Sequence, residues 1–192
     1  MSAGSVPSGD LGRPTGGDVL DLILDDHRRF EELLRELRNS SADRDAARRA
    51  VAALHVAHAE AEESHVYPTL RRKHAIGEHE AEHGEEEHAE GNQALLAVLE
   101  SEQVEGDDFD DLVEELAGAI NHHLTEEELT ILNPARDEVP EDVRRELGAA
   151  FARERNAQLD GDCGRVENVR EIVARAERAG VLSKGEDPAG DE

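Results

Sequence analysis

Two segments of the chain place a histidine four residues before a glutamate, with a proline shortly afterwards. They read HAEAEESHVYP, which contains His58 and Glu62, and HHLTEEELTILNP, which contains His123 and Glu127. Residues four apart on an α-helix lie one turn apart on the same face. Imidazole nitrogen and carboxylate oxygen from facing helices suit iron or manganese, and suit zinc less well. The spacing therefore predicts a metal site with nitrogen and oxygen ligands, since the single cysteine, Cys163, offers no Cys-based zinc site.

The apolar positions around these residues indicate that they point into a protein core. In the second predicted helix the apolar stripe through Val51 leads on to the first His–Glu pair, and in the fourth the stripe through Ile120 leads on to the second pair. His27 lies in the middle of an apolar face of the first helix, and His88 shares the face of Leu95 in the third. Burying these histidines and glutamates without partners would cost several kcal/mol per unpaired charge, and bound cations would remove that cost.

The elements that must position these residues are all predicted to be helical. Aromatic residues make up only 2% of the 192 residues, and the abundant Ala, Leu, Glu and Arg favour helices. Helical periodicity predicts six helices, over about 18–38, 43–73, 78–99, 107–133, 140–159 and 165–182. Pro68 should kink the second helix or interrupt its hydrogen bonding, and the fourth should stop at Asn133 and Pro134. The fold class is therefore all-α, with an up-down-up-down four-helix bundle and additional C-terminal helices.

Composition also divides the chain into four segments. We expect a disordered N-terminus over 1–17, a bundle over 18–136, a C-terminal helical extension over 137–183 and a disordered acidic tail over 184–192. The first and last segments are rich in Gly, Ser, Pro or acidic residues and have no hydrophobic periodicity. The partner of the C-terminal helices, if they bind a protein, is not indicated by the sequence.

The charge balance restricts the partners that the protein can bind. The chain carries 47 acidic against 21 basic residues, a formal net charge of -26. Such a surface repels nucleic acids and anionic membranes, so neither is expected as a partner, whereas cations are attracted. No signal peptide or apolar stretch of transmembrane length is evident. We therefore expect a cytoplasmic protein.

The four histidine segments resemble the hemerythrin-like, cation-binding family that is widespread in bacteria. The segments are DDHRRFEELL, HAEAEESHVYPTL, EEHAEGNQALLAVL and HHLTEEEL, and the resemblance covers about residues 18–136. It implies a hemerythrin-like bundle with two iron ions that cycle between Fe2+ and Fe3+ and are bridged by oxygen and carboxylates; manganese or zinc is less expected. The implied ligands are His27 and His58 on one iron, His88 and His123 on the other, and the bridging Glu62 and Glu127.

Five further residues near these segments are candidates for an outer shell or an alternative ligand. Oxygen-carrying members similar to this chain have a second histidine one turn after the helix-three ligand, where this chain has Asn92. His83 could replace His88, but it lies about 120° from the apolar stripe and should point outward. His65 and His122 flank the site, either as outer-shell groups or as partly exposed histidines. Tyr67 either packs in the core or donates a hydrogen bond at the metal site.

Other polar residues of the same helices are expected at the surface. His55 and His74 are interpreted as exposed histidines. The acidic run Glu85 to Glu87 is interpreted as a solvated helix face, with attraction of incoming cations as a secondary role.

The expected function follows from the implied metal pair. We expect a non-haem di-iron protein that binds or reacts with O2, NO or peroxide, and that serves sensing, buffering or detoxification. The replacement of the second helix-three histidine by Asn92 favours redox chemistry over pure oxygen carriage. The alternatives are a catalase-like, peroxide-decomposing di-iron enzyme and an iron storage or delivery protein.

Overall fold

The computed structural model describes residues 10–182, which contain eight α-helices and two π-helical turns. No strand occurs in this range, so the predicted all-α fold class is confirmed. The elements are α1 (Val19–Arg38), α2 (Arg44–Ala61), a first π-helical turn (Glu62–Val66), α3 (Tyr67–Arg72), α4 (Glu78–Glu100), α5 (Asp107–Glu127), a second π-helical turn (Glu128–Leu132), α6 (Asn133–Glu138), α7 (Glu141–Asp160) and α8 (Val166–Ala179).

Four long helices form the predicted bundle. The helix α1 packs on α2, α2 on α4, α4 on α5, and α5 closes the ring against α1. The first π-helical turn and α3 continue α2 to Arg72, and with them short connections join consecutive members, so that neighbours run in opposite directions. The two predicted C-terminal helices lie outside this ring, with α7 packed against α1 and α2, and α8 packed along α4. The predicted four-helix bundle with additional C-terminal helices is therefore confirmed.

The interior of the bundle consists of two apolar clusters with a polar layer between them. In α1, Ile23 belongs to one cluster, Phe30 belongs to the other, and His27 lies between the two. The reverse order is found along α5 and the second π-helical turn, where Ile120 shares the cluster of Phe30, Ile131 shares that of Ile23, and the second His–Glu pair lies between them. The apolar clusters hold the four helices together above and below the polar layer, and so fix the positions of the polar side chains.

Both prolines of the His–Glu segments are accommodated by π-helical turns. Pro68 and Pro134 occupy the beginning of α3 and α6, and the backbone N–H groups of the residues before them donate to Glu62 O and Glu128 O, five residues back. A proline has no N–H and clashes with the preceding turn, and a widened turn relieves that clash. The expected disturbance at Pro68 is thus observed. The expected stop at Asn133 is wrong, because the second π-helical turn leads directly into α6.

The chain before α1 lies against α7. Residues 10–17 form no helix, but the Arg155 guanidinium donates to Leu11 O at 2.7 Å and the Asn156 amide donates to Pro14 O at 2.8 Å. Residues 1–9 and 183–192 are not described, so the expected acidic tail and the first part of the expected N-terminal segment lie outside the described residues. The division of the chain into four segments stays a prediction. Within residues 10–182 no helix is both long and apolar enough to span a membrane.

The packing of the N-terminal segment on α7 predicts opposite effects for two Gly→Ala substitutions. A Cβ at Gly148 would overlap the backbone carbonyl of Gly17, whereas a Cβ at Gly118, on the exposed side of α5, would meet no atom within 4 Å. Gly148→Ala should therefore lower the free energy of unfolding by roughly 1–3 kcal/mol through overpacking. Gly118→Ala should raise it by about 0.5–1 kcal/mol because alanine favours the helix. Urea unfolding measures both, and equal changes would contradict the close contact.

Candidate metal centre

The six expected ligands all lie in the polar layer between the two apolar clusters. Each is buried, and each of the four bundle helices contributes at least one of them. Their relative exposures are 3% for His27, 1% for His58, 0% for Glu62, 1% for His88, 3% for His123 and 1% for Glu127. The structure therefore places these side chains together in the core, as expected. That they bind a metal stays a prediction.

The Glu62 carboxylate lies between histidines of two different helices. Its Oε1 is 3.2 Å from His58 Nε2, and its Oε2 is 3.2 Å from His88 Nε2. The Glu127 carboxylate has a similar place on the opposite side of the layer. Its Oε2 is 3.1 Å from His27 Nε2 and 3.8 Å from His123 Nε2. Each glutamate thus faces two imidazoles whose Nε2 atoms point to the centre.

These ligand atoms form two adjoining groups, each compact enough to surround a cation. Within each group the ligand atoms lie within 4.8 Å of one another. The first group contains His58, Glu62, His88 and His123, and the second contains His27, His58 and Glu127. His58 belongs to both groups, so the two cation positions are neighbours.

Several atoms at the centre have no hydrogen-bond partner although they are buried. They are the Nε2 atoms of His58, His88 and His123 and the Oε1 atom of Glu62. A buried polar atom without a partner costs roughly 1–3 kcal/mol. A cation bound between the groups would give all four atoms a partner at once, so the residues present fit a metal ion.

Each of the four central histidines has a carboxylate on its outer nitrogen. The pairs are His27 Nδ1 with Glu128 Oε1 at 2.8 Å, His58 Nδ1 with Asp26 Oδ2 at 3.2 Å, His88 Nδ1 with Glu63 Oε1 at 2.9 Å, and His123 Nδ1 with Glu87 Oε2 at 3.1 Å. When Nδ1 donates to a carboxylate, the lone pair of Nε2 remains available for a metal. We call these acids the outer carboxylates.

The outer carboxylates connect the helices in a closed ring. Each acid is adjacent in sequence to an expected ligand on its own helix, and each accepts from a histidine on the next helix around the bundle. Asp26 of α1 thus binds a histidine of α2, Glu63 binds one of α4, Glu87 binds one of α5, and Glu128 binds one of α1. Sequence analysis missed these roles, although an acid next to a core-facing ligand is a signal that could have indicated them.

The C-terminal helix α7 reaches this ring through a buried arginine. Arg155, which is 1% exposed, donates to both oxygens of Asp26 at 2.7 Å, through Nε and Nη2. The Phe151 ring, also on α7, contacts the His58 ring edge to face, with centroids 5.9 Å apart. Burial alone would raise the pKa of Asp26, but its hydrogen bond with His58 and the Arg155 charge hold that pKa below its usual value. The ionised Asp26 can therefore keep His58 in one orientation.

The pKa values at the centre show that the layer attracts positive charge. Burial and the charge of Glu127 raise the pKa of Glu62 to about 8. Burial favours neutral His88, but the adjacent Glu62 and Glu63 carboxylates outweigh that effect and raise the pKa of His88 to about 10. His27 behaves similarly: its bond to Glu127 outweighs burial, and its pKa rises to about 9. The buried carboxylates thus favour positive charge in this layer.

Tyr67 extends its hydroxyl between the two central glutamates. The hydroxyl is 3.3 Å from Glu62 Oε2 and 3.4 Å from Glu127 Oε1, and can donate to either. Its ring stacks on His88 with centroids 5.9 Å apart. Gly84 makes this possible, because a Cβ there would lie 2.9 Å from the hydroxyl oxygen. Burial raises the pKa of Tyr67 well above its usual value, so that the hydroxyl keeps its proton.

The remaining candidate residues lie farther out. Asn92 is buried, its Oδ1 lacks a hydrogen-bond partner, and it lines a cavity between α2, α4 and α8. His65 faces Glu154 of α7 at 3.7 Å. His83 is 45% exposed whereas His88 is 1% exposed, and the choice between them as a ligand stays a prediction. His122 is 62% exposed, with its Nε2 atom 3.3 Å from an outer carboxylate.

Two residues expected at the surface are buried, so those expectations are wrong. His55 is 3% exposed and lies between the Phe30 and His88 rings, with its Nε2 atom 3.3 Å from His88 O. Burial lowers its pKa to about 3. Glu87, expected in a solvated face, is 5% exposed because it turns toward α5. His74 is exposed, as expected.

Comparison with known proteins identifies one family. A family model described as Hemerythrin HHE cation binding domain matches residues 18–134. No curated protein and no solved structure matches the chain significantly. The matched range contains all six central residues and all four outer carboxylates, whereas α7, with Arg155, lies beyond it.

The buried position of Arg155 predicts a large effect when its charge is removed. Arg155→Met would leave Asp26 as a buried carboxylate without the guanidinium that donates to both of its oxygens, and the free energy of unfolding should fall by roughly 3–5 kcal/mol. Arg145, on the same helix, is 68% exposed and pairs with Glu141. Arg145→Met should change stability by no more than about 0.5 kcal/mol.

Urea unfolding of the two variants separates the buried pair from a general effect of removing an arginine. In the double variant Asp26→Asn/Arg155→Met no ionised group is left without its partner, and we expect it to be more stable than Arg155→Met alone. Equal small losses in both arginine variants would contradict the assigned role of Arg155.

Proposed function

The chain belongs to the hemerythrin HHE cation-binding domain family, and from that membership we propose that its buried centre holds two iron ions at which the protein binds or reacts with O2, NO or peroxide. The metal-binding, hemerythrin-like character is shared with the family. The number of ions, their identity and the small ligand are the proposal. The protein would serve in sensing, buffering or detoxification of these molecules.

The observation that carries the proposal is the position of Glu62. Its two oxygens lie at equal distances, 3.2 Å, from the Nε2 atoms of His58 and His88, which belong to different helices. A carboxylate in that position can bind one ion through each oxygen. In the assignment that we propose, His27 and His58 hold one iron, His88 and His123 hold the other, and Glu62 and Glu127 bridge them.

The ligand types support iron or manganese over zinc. Imidazole and carboxylate groups that project from facing helices into a bundle core suit iron or manganese. Cys163, which could have favoured zinc, lies elsewhere, with its Sγ donating to Ala53 O at 3.4 Å. Two iron ions held at this centre would supply reversible one-electron chemistry between Fe2+ and Fe3+ toward a small ligand.

The protein itself contributes orientation, exclusion of water and one hydroxyl donor. The outer carboxylates orient the four imidazoles, and the two apolar clusters close the layer from above and below. Asn92 stands one turn after His88, where oxygen-carrying members have a further histidine, and this replacement would leave room at the metal pair for a small ligand. With a net charge of -26 the surface disfavours nucleic acids and anionic membranes, and we propose that the protein acts in the cytoplasm.

Metal analysis of the purified protein tests the iron pair. The wild type should contain two iron ions per chain and show a ferric charge-transfer absorption after exposure to air. Glu62→Ala should lose both, because the proposed bridge is removed. Glu90→Ala, which removes an exposed glutamate of α4, should retain them. A wild type without iron, or a Glu62→Ala variant that keeps the full iron content, would contradict the proposal.

Peroxide decomposition is the second candidate, and the position of Tyr67 favours it. The hydroxyl lies within 3.4 Å of both central glutamates, where it could transfer a proton to a bound ligand. If this activity exists, the wild type should release oxygen from peroxide, and Tyr67→Phe should do so roughly 10²-fold more slowly at equal iron content. A wild type that releases no oxygen would make the enzyme candidate wrong and leave the ligand-binding proposal standing.

A further inference from the structure

The outer carboxylate Glu87 has two oxygens in different surroundings. Its Oε2 accepts from His123 Nδ1 at 3.1 Å and so faces the buried centre. Its Oε1 is buried and has no hydrogen-bond partner, and the whole side chain is only 5% exposed. This second oxygen points away from the centre, toward the outer side of α4 and α5.

Two imidazoles flank this unpartnered oxygen. His83 Nε2, from α4, is 3.5 Å from Glu87 Oε1, and His122 Nε2, from α5, is 3.3 Å from it. Neither imidazole nitrogen forms a hydrogen bond with Glu87 Oε1, so this oxygen has no hydrogen-bond partner. Two nitrogens therefore surround an oxygen that needs a positive charge or a donor.

Both distances to Glu87 Oε1 are those of ligand atoms that share one cation, while the two imidazole nitrogens lie more than 4.8 Å from each other and must move together to share it. Nitrogen and oxygen ligands bind zinc at about 2.0–2.2 Å, so neighbouring ligand atoms in a tetrahedron are about 3.3–3.6 Å apart. The imidazoles of His83 and His122 are 45% and 62% exposed. Exposed side chains change rotamer within nanoseconds, so both Nε2 atoms can close around an ion.

Neighbouring residues strengthen this arrangement. Glu86 Oε2 lies 3.9 Å from His83 Nδ1, on the side where the central histidines have their outer carboxylates. The ring of His79, one turn earlier on α4, lies 6.2 Å from that of His83 and offers a further nitrogen. The strongly negative chain concentrates cations at its surface.

We propose that His83, His122 and Glu87 form a second, outer site for one divalent cation of the first transition series. Two imidazole nitrogens and one carboxylate oxygen suit Zn2+, Co2+, Ni2+ or Fe2+. The site is separate from the buried centre, which contains neither His83 nor His122, and it is connected to that centre only through Glu87. It goes beyond the proposed function and does not depend on what the buried centre binds.

Titration of the metal-free full chain with Co2+ tests the outer site. The bound ions are counted by equilibrium dialysis, and the visible d–d absorption reports their coordination. His83→Gln/His122→Gln should bind one Co2+ fewer per chain than the wild type. The matched control, His65→Gln/His74→Gln, removes two histidines away from the site and should keep the wild-type number.

An unchanged number of Co2+ ions in the His83→Gln/His122→Gln variant would overturn the outer site. An equal loss in the control variant would also overturn it, because the ions would then be bound by surface histidines in general. Far-UV circular dichroism verifies that the variants are folded. His122→Gln alone, at the more exposed of the two histidine positions, should already weaken the binding of Co2+ at the outer site. The test uses only the difference in bound Co2+ per chain between the wild type and each variant. It therefore tests the outer site even if the buried centre does not hold iron.

Discussion

Six ionisable side chains that share one buried layer impose the main constraint on this protein. Carboxylates and imidazoles in an apolar interior need compensating charge. Here Glu127 raises the pKa of His27, and Glu62 raises the pKa of His88. Metal cations provide the same compensation and also supply partners for buried atoms such as Glu62 Oε1. The family to which the chain belongs binds cations, and this centre provides a physical reason for that property.

The ring of outer carboxylates explains how four separate helices present their histidines together. The outer carboxylate next to a central ligand of each helix orients a histidine of the next helix, so the positions of the four imidazoles depend on all four helices together. Arg155 extends the ring to α7 through Asp26, which makes the C-terminal extension part of the support of the centre. The two π-helical turns lie beside the central glutamates: the first begins at Glu62, the second follows Glu127 directly, and a proline stands two residues after the end of each. Such turns occur frequently at functional sites.

Spacing and periodicity were enough to predict the bundle and the convergence of the six central residues, because both depend on local helix geometry. The continuation past Asn133 was not predictable in this way, since a π-helical turn overrides the usual effect of proline. His55 was misplaced because the face that it occupies is covered by α4, where Gly91 leaves room for its ring. Arg155 lies 129 residues from Asp26 along the chain, and a single sequence contains no sign of a contact at that separation.

The central claim is that the interior side chains of all four bundle helices hold a pair of metal ions. Anomalous diffraction from crystals of the protein, recorded on both sides of the iron absorption edge, measures this directly. The account predicts two iron peaks between Glu62 and Glu127, each next to Nε2 atoms of the central histidines. Crystals of iron-supplemented protein with no anomalous peak in that layer, or with iron only on the outer surface, would contradict it.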